Sequence, residues 1–265
     1  MVSAGGASVD AGAARTGAGA GAAAAIARVI SLRGASVHAG GTALLHATDL
    51  EIGVVERTVV LGPNGSGKTT LLRAIHGLAA LSGGRLRGVS RDAAQAAGGE
   101  LARCAYVFQK PVMLHRSALA NVEHALAIAG VPARERRQRA ESALADVGLA
   151  SLAARPARRL SGGEQQRLAV ARANALEPDC LLLDEPTASL DPGAAAGIER
   201  YLLRLSERGR GIVMSTHDLG QARRLAERIV FMHRGRVVEA GDAPSFFHAP
   251  SSNLAQRFLR GEWLE

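Results

Sequence analysis

The stretch that decides the fold is "GPNGSGKTT", residues 62–70. It follows the β-branched run "RTVVL" and leads into "LLRAIHGL", whose apolar residues have helical spacing. A glycine-rich loop between a strand and a helix has the spacing of a P-loop, whose backbone amides surround phosphate groups. A chance glycine loop is the alternative, and this context argues against it. We therefore expect a nucleoside triphosphate to bind Gly62, Pro63, Asn64, Gly65, Ser66, Gly67, Lys68, Thr69 and Thr70.

Within this loop, two side chains have distinct predicted tasks. Lys68 can reach the β- and γ-phosphates as a point charge, and the Thr69 hydroxyl can bind Mg²⁺. Lys68 is one of only two lysines in a chain with 32 basic residues, the other being Lys110. A lysine at this position, in an arginine-rich chain, favours a specific requirement for a compact ammonium group.

Two acidic residues follow the apolar run "CLLL", which predicts a central parallel strand. Adjacent residues leave the end of a strand in different directions. We therefore assign Asp184 to Mg²⁺ and Glu185 to the attacking water, as general base. Two solvated acids at a strand end would be the alternative without the upstream P-loop.

Two further polar residues come directly after predicted strands. His217 ends "IVMSTH" and could contact the γ-phosphate and the water, whereas a single histidine there would usually have no function. Gln109 follows "CAYVF", and its amide could contact Mg²⁺ or the water. Because a helical stretch begins just after Gln109, this residue could link the nucleotide state to a moving subdomain.

A second anion-binding helix start is predicted at "LSGGEQQR", residues 160–167. Ser161 and Glu164 have the spacing of a capping box. Gly162 and Gly163 lie between them and leave bare amides that suit an anion. An ordinary helix cap is equally consistent with this pattern, and the same geometry serves both.

The bulk composition limits the class of protein. The chain has 265 residues, 47% of them hydrophobic, so it can bury a sizeable core. The formal net charge of +8 indicates a solvated basic surface, with attraction to an anionic membrane surface as the alternative. Aromatic residues make up only 3% and do not interleave with the basic runs, so we expect no nucleic-acid partner.

Cysteine use and hydropathy bear on the compartment. Cys104 and Cys180 lie in apolar runs without metal-ligand spacing, which indicates a reducing cytoplasm. We expect no signal peptide and no membrane span, because no apolar run has the required length. Any link to a membrane would then come through a partner.

The chain is predicted to contain one large domain. Residues 1–25 are nearly all Ala, Gly, Ser and Thr, and we expect them to be a disordered extension. Residues 26–265 alternate predicted strands and helices, which indicates an α/β fold. A helical stretch at about residues 110–165 interrupts this alternation, so we predict an inserted helical subdomain there.

The motifs resemble those of ABC-type ATPases. "GPNGSGKTT", Gln109, "LSGGEQQR", "LLLDEP", "SLD" and His217 occur in the order found in that family, and the resemblance spans about residues 29–241. It implies a P-loop NTPase core with a mainly parallel sheet, an antiparallel β subdomain and an inserted helical subdomain. It also implies ATP hydrolysis with Mg²⁺.

The same resemblance implies a homodimer. In that family two copies pack head to tail, and the signature of one chain closes over ATP held by the P-loop of the other. Ser161, Gly162, Gly163 and Glu164 would then bind in trans, and Asp191 would lie at the seam between the chains.

In one respect the chain departs from the family pattern. The family usually stacks an aromatic ring on adenine, upstream of the P-loop, and no Phe, Tyr or Trp precedes Tyr106 here. His38, in "VHAGG", is the nearest candidate by position, so we predict that it is the adenine platform.

The resemblance further suggests the energising subunit of a bacterial importer, with an exporter or a soluble non-transport role as alternatives. Its partners would be membrane permease subunits and, indirectly, a substrate-binding protein, at the cytoplasmic face of the plasma membrane. Segment 108–126 resembles oxyanion importers, and segments 214–239 and 258–264 look most like tungstate importer ATPases. The phosphate importer ATPases, which share the start "FQKP" at 108–111, are the second candidate. Val112, Met113 and Leu114 could contact the permease or pack internally.

Overall fold

Among the described residues, the main sheet has seven strands, and the P-loop, Gln109, Glu185 and His217 follow the carboxyl ends of its parallel strands. A computed structural model describes residues 29–90, 101–262 and 264. The predicted extension, residues 1–25, lies outside the described residues. Strand order in the main sheet is β10-β9-β3-β8-β7-β6-β5. The strands are β3 (Arg57–Leu61), β5 (Val89–Ser90), β6 (Ala102–Val107), β7 (Cys180–Asp184), β8 (Gly211–Thr216), β9 (Arg228–His233) and β10 (Arg236–Asp242).

All neighbouring pairs in this sheet are parallel except β9 and β10, which form an antiparallel hairpin. The strands β7 and β8 are buried along their whole length, as expected for strands covered on both faces. The apolar runs "CLLL" and "IVMSTH" predicted β7 and β8, and the structure confirms both strands. Since parallel strands end at the same edge, the residues after β3, β6, β7 and β8 meet there.

A second, antiparallel sheet consists of β1 (Val29–Ala39), β2 (Thr42–Gly53) and β4 (Gly83–Arg87), in the order β2-β1-β4. Its central hairpin turns at Gly40 and Gly41, both with positive φ, as a two-residue hairpin turn requires. The antiparallel β subdomain that the family resemblance implied is confirmed, since β1 pairs with both β2 and β4 in antiparallel orientation.

Helices cover both faces of the main sheet. They are α1 (Lys68–His76), α2 (Ala118–Ile128), α3 (Ala133–Asp146), α4 (Gly162–Asn174), α5 (Pro192–Glu207), α6 (Leu219–Leu225), α7 (Ala243–His248) and α8 (Asn253–Leu259). In the described ranges, no helix combines the length and the apolar character needed to cross a membrane. The helices α2 and α3 interrupt the strand–helix alternation, whereas the limits of a separate subdomain at about 110–165 stay a prediction.

Alternate residues of the strands point into two cores. Leu182 and Val213 belong to a core shared with α1 and the antiparallel sheet. Leu181, Leu183 and Met214 belong to the other core, shared with α2 to α8. Because successive side chains of a strand point to opposite faces, the main sheet contributes residues to the cores on both of its faces.

The structure decides between the two alternatives for Met113, in the segment after Gln109. Met113 is buried, with 7% of its surface exposed, and it packs in the core with α2 and α4. Val112 is 71% exposed. Packing therefore accounts for Met113, whereas Val112 offers an exposed apolar side chain to a partner and Leu114 is half-buried.

We expect Met113→Ala to lower the free energy of unfolding by about 2–4 kcal/mol, because it leaves a cavity in a packed core. The matched change Val112→Ala should alter it by no more than about 0.5 kcal/mol. Urea denaturation of both variants measures this difference. Equal effects from the two substitutions would contradict the assignment of Met113 to the core.

Candidate active site

Close backbone contacts shape the glycine-rich loop between β3 and α1. A Cβ atom on Gly62 would lie 2.2 Å from the carbonyl oxygen of Met232, which no side chain tolerates. Gly67 caps the N-terminus of α1 with φ of 98°, a left-handed conformation that favours glycine. These glycines let the loop run tightly against β9 and turn directly into the helix.

Lys68 begins α1, and its ammonium group lies beneath the loop. Its Nζ donates to the carbonyl oxygens of Gly62 at 2.9 Å and Pro63 at 3.0 Å. It also lies 3.3 Å from Oε1 of Glu185, with the lysine side chain only 5% exposed. A buried ammonium needs such partners, since an unpaired charge would be costly. The cation is thus held at the place where the loop would surround phosphate.

Asp184, the last residue of β7, accepts three hydrogen bonds. Its Oδ1 accepts from the hydroxyls of Thr69 and Ser215, each at 2.8 Å. Its Oδ2 accepts from the Tyr106 hydroxyl at 3.1 Å. Burial and the nearby carboxylate raise the pKa of Tyr106, so its hydroxyl keeps its proton and donates. A threonine hydroxyl beside a carboxylate is the oxygen donor set that Mg²⁺ prefers, so these residues fit that ion.

Glu185 follows Asp184 and has a positive φ of 40°. Its backbone N–H donates to the Ser215 hydroxyl at 2.9 Å. Its Oε2 accepts from Nε2 of Gln109 at 3.4 Å and lies 3.3 Å from Nδ1 of His217. Three strand ends, those of β6, β7 and β8, therefore bring together Gln109, Glu185 and His217, as the sequence analysis expected of their positions.

One cleft of about 810 Å³ is lined by the P-loop from Asn64 to Thr70 together with Gln109, Glu185 and His217, whereas Asp184 is buried and does not line it. The sequence patterns assigned no role to the other lining residues, which are Thr42, Ala43, Leu44, Ala188, Ser189, Arg234 and Gly235. The sequence offered no chemical signal for the first three, because strand pairing alone brings β2 to the loop. Ser215 could have been suspected, since it is two residues before His217 in "MSTH".

The predicted signature lies apart from this cleft. Ser161 caps α4 in a complete capping box: its N–H donates to Glu164 Oε2 at 2.7 Å, and Glu164 N–H donates to Ser161 Oγ at 3.3 Å. Ser161 and Gly162 are exposed, and nothing lies within 4 Å of a Cβ placed on Gly162. Among the described residues that line the cleft there is no signature residue.

Asp191 is the N-cap of α5 and accepts from the N–H of Ala194 at 2.9 Å. A Cβ on Gly163 would lie 3.0 Å from Cβ of Ala194, so the starts of α4 and α5 lie side by side. The structure therefore places the signature and the predicted seam residue on adjacent helix starts.

The structure does not bring His38 into the cleft. His38, in β1, pairs across the hairpin with Ala43 of β2. Ala43 lines the cleft, whereas His38 is exposed and does not line it. Opposite residues of an antiparallel pair point to the same face of the sheet. The role of His38 as adenine platform stays a prediction.

An ion pair between the buried Glu199 and the exposed Arg224 supports the segment that follows Glu185. Arg224 donates to both carboxylate oxygens of Glu199, from Nε and a terminal nitrogen, each at 2.8 Å. The Gln221 amide donates to Glu199 at 3.0 Å and to the Thr187 hydroxyl at 2.7 Å. These bonds connect α5 and α6 to the loop that lines the cleft.

The fold and this site together define a P-loop nucleoside triphosphatase. Residues 45–188, more than half of the chain, match the family model described as "ABC transporter". The chain belongs to this family, and it is an ATPase whose hydrolysis is coupled to transport across a membrane.

Several curated relatives have similar identities. The phosphate import ATP-binding protein PstB 2 of Natronomonas pharaonis is 38% identical, covering 89% of this chain and 87% of that protein. The tungstate uptake system ATP-binding protein TupC of Peptoclostridium acidaminophilum is 38% identical over 78% of this chain and 94% of its own length. The glutamine transport ATP-binding protein GlnQ of Escherichia coli is 37% identical, covering 88% and 99%.

Two solved structures share the fold. One is the dimeric post-hydrolysis state of the ATP-binding cassette MJ0796 bound to ADP and Pi, with TM-score 0.70, 30% identity and coverage of 80% of this chain and 98% of that one. The other is CbiO1 of Clostridium perfringens, part of an ABC transporter complex, with TM-score 0.71, 28% identity and coverage of 87% and 94%. The predicted mixed α/β fold is thereby confirmed.

We expect Glu199→Gln to lower the free energy of unfolding at pH 7 by about 1 kcal/mol, since Arg224 is partly exposed. Hydrogen bonds from Arg224 hold the pKa of Glu199 below its usual value, despite burial. The ion pair therefore stabilises the fold above the ordinary glutamate pKa of about 4.3, and this stabilisation is lost as pH falls through the lower folded value.

Urea denaturation between pH 7 and pH 3.5 tests this dependence. The difference between wild type and Glu199→Gln should shrink at the acidic end, whereas Glu207→Gln, at an exposed position of the same helix, should have little effect throughout. A difference that stays constant with pH would contradict the ion-pair account.

Proposed function

We propose that the chain is the ATP-hydrolysing subunit of an ABC importer for an oxyanion, with tungstate as the first candidate and phosphate as the second. The observation that carries the ATPase role is the Glu185 carboxylate, which contacts Lys68, Gln109 and His217 at the edge of a phosphate-binding loop. The observation that favours an oxyanion is the pair of relatives whose names refer to phosphate and tungstate uptake.

In the proposed reaction Glu185 is the general base. Its Oε2 would accept a proton from water as the water attacks the γ-phosphate in line. His217 and Gln109 would orient that water and the phosphate, since both already contact the same carboxylate oxygen. The ammonium group of Lys68 would stabilise the charge that develops on the phosphate oxygens.

Thr69, Asp184 and Gln109 would hold Mg²⁺, which neutralises phosphate charge when it is bound. Asp184 is suited to this position because Ser215 and Tyr106 fix its two oxygens. These contacts make the carboxylate a positioned ligand, and they leave the adjacent Glu185 to act on water.

We propose further that the signature completes the site of a second copy of the chain. Ser161 and Gly162 are exposed at a helix start, where bare amides and the helix dipole favour an anion. Since they do not line their own cleft, a partner's γ-phosphate is the anion that suits them, with Gly163 and Glu164 completing the turn. Asp191, on the adjacent helix start, would then lie at the seam.

The permease would dock near the segment after Gln109. Val112 is exposed there, as is Phe108, which is 40% exposed. This position is next to a residue that senses the nucleotide in the proposed mechanism. Such a partner, with a substrate-binding protein on the other side, would place the chain at the cytoplasmic face of the membrane.

The cargo is the least constrained part of the proposal. Relatives named for glutamine and L-cystine transport match at 37% identity, close to the 38% of the oxyanion relatives. None of the cleft residues would contact the cargo, because the nucleotide occupies that cleft. The substrate preference must therefore be tested with the membrane partners present.

We expect Glu185→Gln to lower the ATPase rate by at least about 100-fold, because the general base is removed. With MgATP, this variant should accumulate as a dimer in analytical ultracentrifugation, since the nucleotide stays intact between two chains. The control is Glu207→Gln, which removes an exposed carboxylate. A normal hydrolysis rate in Glu185→Gln would refute the base assignment.

To test the cargo, the chain is purified with its membrane partners and binding protein and placed in vesicles. We expect tungstate outside the vesicles to stimulate ATP hydrolysis inside. Stimulation by phosphate alone would favour the second oxyanion candidate. Stimulation by glutamine or L-cystine alone would contradict oxyanion import.

A further inference from the structure

Arg234 occupies an unusual turn at the edge of the nucleotide cleft. The hairpin between β9 and β10 turns at Arg234 and Gly235, with φ of 47° and 72°. Two successive positive φ values define the tight turn that normally takes Asn-Gly or Asp-Gly. Among the described residues, three that are not glycine have positive φ. Two of these three, Glu185 and Arg234, line the cleft.

The turn is fixed against both the P-loop and β2. The N–H of Gly235 donates to the Ser66 carbonyl at 2.9 Å, and the His46 N–H donates to the Gly235 carbonyl at 2.8 Å. A Cβ on Gly67 would lie 3.2 Å from Cα of Gly235. The backbone of Arg234 is therefore positioned by the same loop that would hold the phosphates.

The guanidinium group of Arg234 is available for a ligand. Arg234 is exposed, and within the described part of the chain its side chain has no hydrogen-bond or ion-pair partner. It lines the cleft without contributing to the fold through any such contact. A long side chain in a conformation that favours small residues is an observation that points to function.

Two groups of cleft residues differ in chemistry. Gln109 and His217 both contact the Glu185 carboxylate, where hydrolysis would occur. The turn that carries Arg234 packs against Leu44, since a Cβ on Gly235 would lie 2.9 Å from the Leu44 carbonyl oxygen, and neither Leu44 nor Ala43 has an acidic or basic side chain. With the terminal phosphate at the first group, we expect the nucleoside to extend toward the second. No Phe, Tyr or Trp occurs among the described residues that line the cleft.

We propose that Arg234 holds the nucleotide base, with its guanidinium plane stacked on the purine. Guanidinium groups stack on base faces through cation–π and planar contacts. Arg234 thereby takes the place of the aromatic platform that the cleft lacks. This proposal rests on the proposed ATP-binding function and assigns one residue of that site beyond the predicted set.

The test compares binding of MgADP with binding of magnesium pyrophosphate, which has the two phosphates without the nucleoside. Arg234→Asn removes the guanidinium and suits the turn, so it should fold. We expect it to weaken MgADP binding roughly three- to tenfold and to leave pyrophosphate binding unchanged. Arg234→Lys keeps the charge without the plane and should not restore affinity. Arg236→Asn, an equal charge change at an exposed position of the same hairpin, is the control.

Calorimetric titration distinguishes the outcomes. Unchanged MgADP affinity in Arg234→Asn, with a loss in His38→Ala, would overturn the proposal in favour of His38. Equal loss of ADP and pyrophosphate binding, restored by Arg234→Lys, would also overturn it, because the contact would then be to phosphate. Failure of the wild-type chain to bind MgADP would instead refute the proposed ATP-binding function itself.

Discussion

The contact between Lys68 and Glu185 is the interaction on which the active site depends. Their charged groups lie 3.3 Å apart, and the side chains are only 5% and 12% exposed. Either charge left alone in this surrounding would be costly, so each requires the other and its neighbouring dipoles. An ammonium has three donors, which here meet two loop carbonyls and the carboxylate.

Backbone contacts, more than side chains, hold this ion pair in place. The carbonyl oxygen of Leu44 would lie 3.0 Å from a Cβ on Gly67 and 2.9 Å from one on Gly235. Strand β2, the P-loop and the β9–β10 turn thus meet around one carbonyl, where no methyl group could be added without a shift. This packing determines the shape of the cleft, and it also fixes the backbone position of Arg234 in the turn.

The arrangement also keeps the P-loop cleft and the predicted signature apart within one chain. The P-loop lies at the ends of the parallel strands, whereas the signature begins α4 beside the start of α5. The capping box satisfies the N–H groups of Ser161 and Glu164 within the chain, whereas Ser161 and Gly162 are exposed to solvent. This helix start is capped within its own chain, but it does not border the nucleotide cleft of that chain. For this reason we propose that it faces the cleft of a second copy.

Much of the fold followed from local patterns. Apolar runs that end in polar residues determined β7 and β8, and the capping box determined the start of α4, because these signals act over a few residues. The same patterns indicated which residues would lie at the strand ends, including Asp184, Glu185 and His217. Parallel strands share one edge, so their grouping needed no knowledge of distant contacts. Met113 was ambiguous from sequence, since an apolar residue in a loop can pack or be exposed.

Other features required the tertiary structure. Hydrogen bonds from Ser215 and Tyr106 to Asp184 join residues that are distant in sequence, and a hydroxyl carries no signal of its partner. Arg234 has an unremarkable sequence context, and only the packing of its turn against the P-loop brings it to the cleft. The sequence alone determined the elements and the phosphate-binding chemistry, because both depend on residue type and short spacing. The tertiary structure decided which distant side chains border that chemistry, because strand register and close backbone contacts are properties of the whole fold.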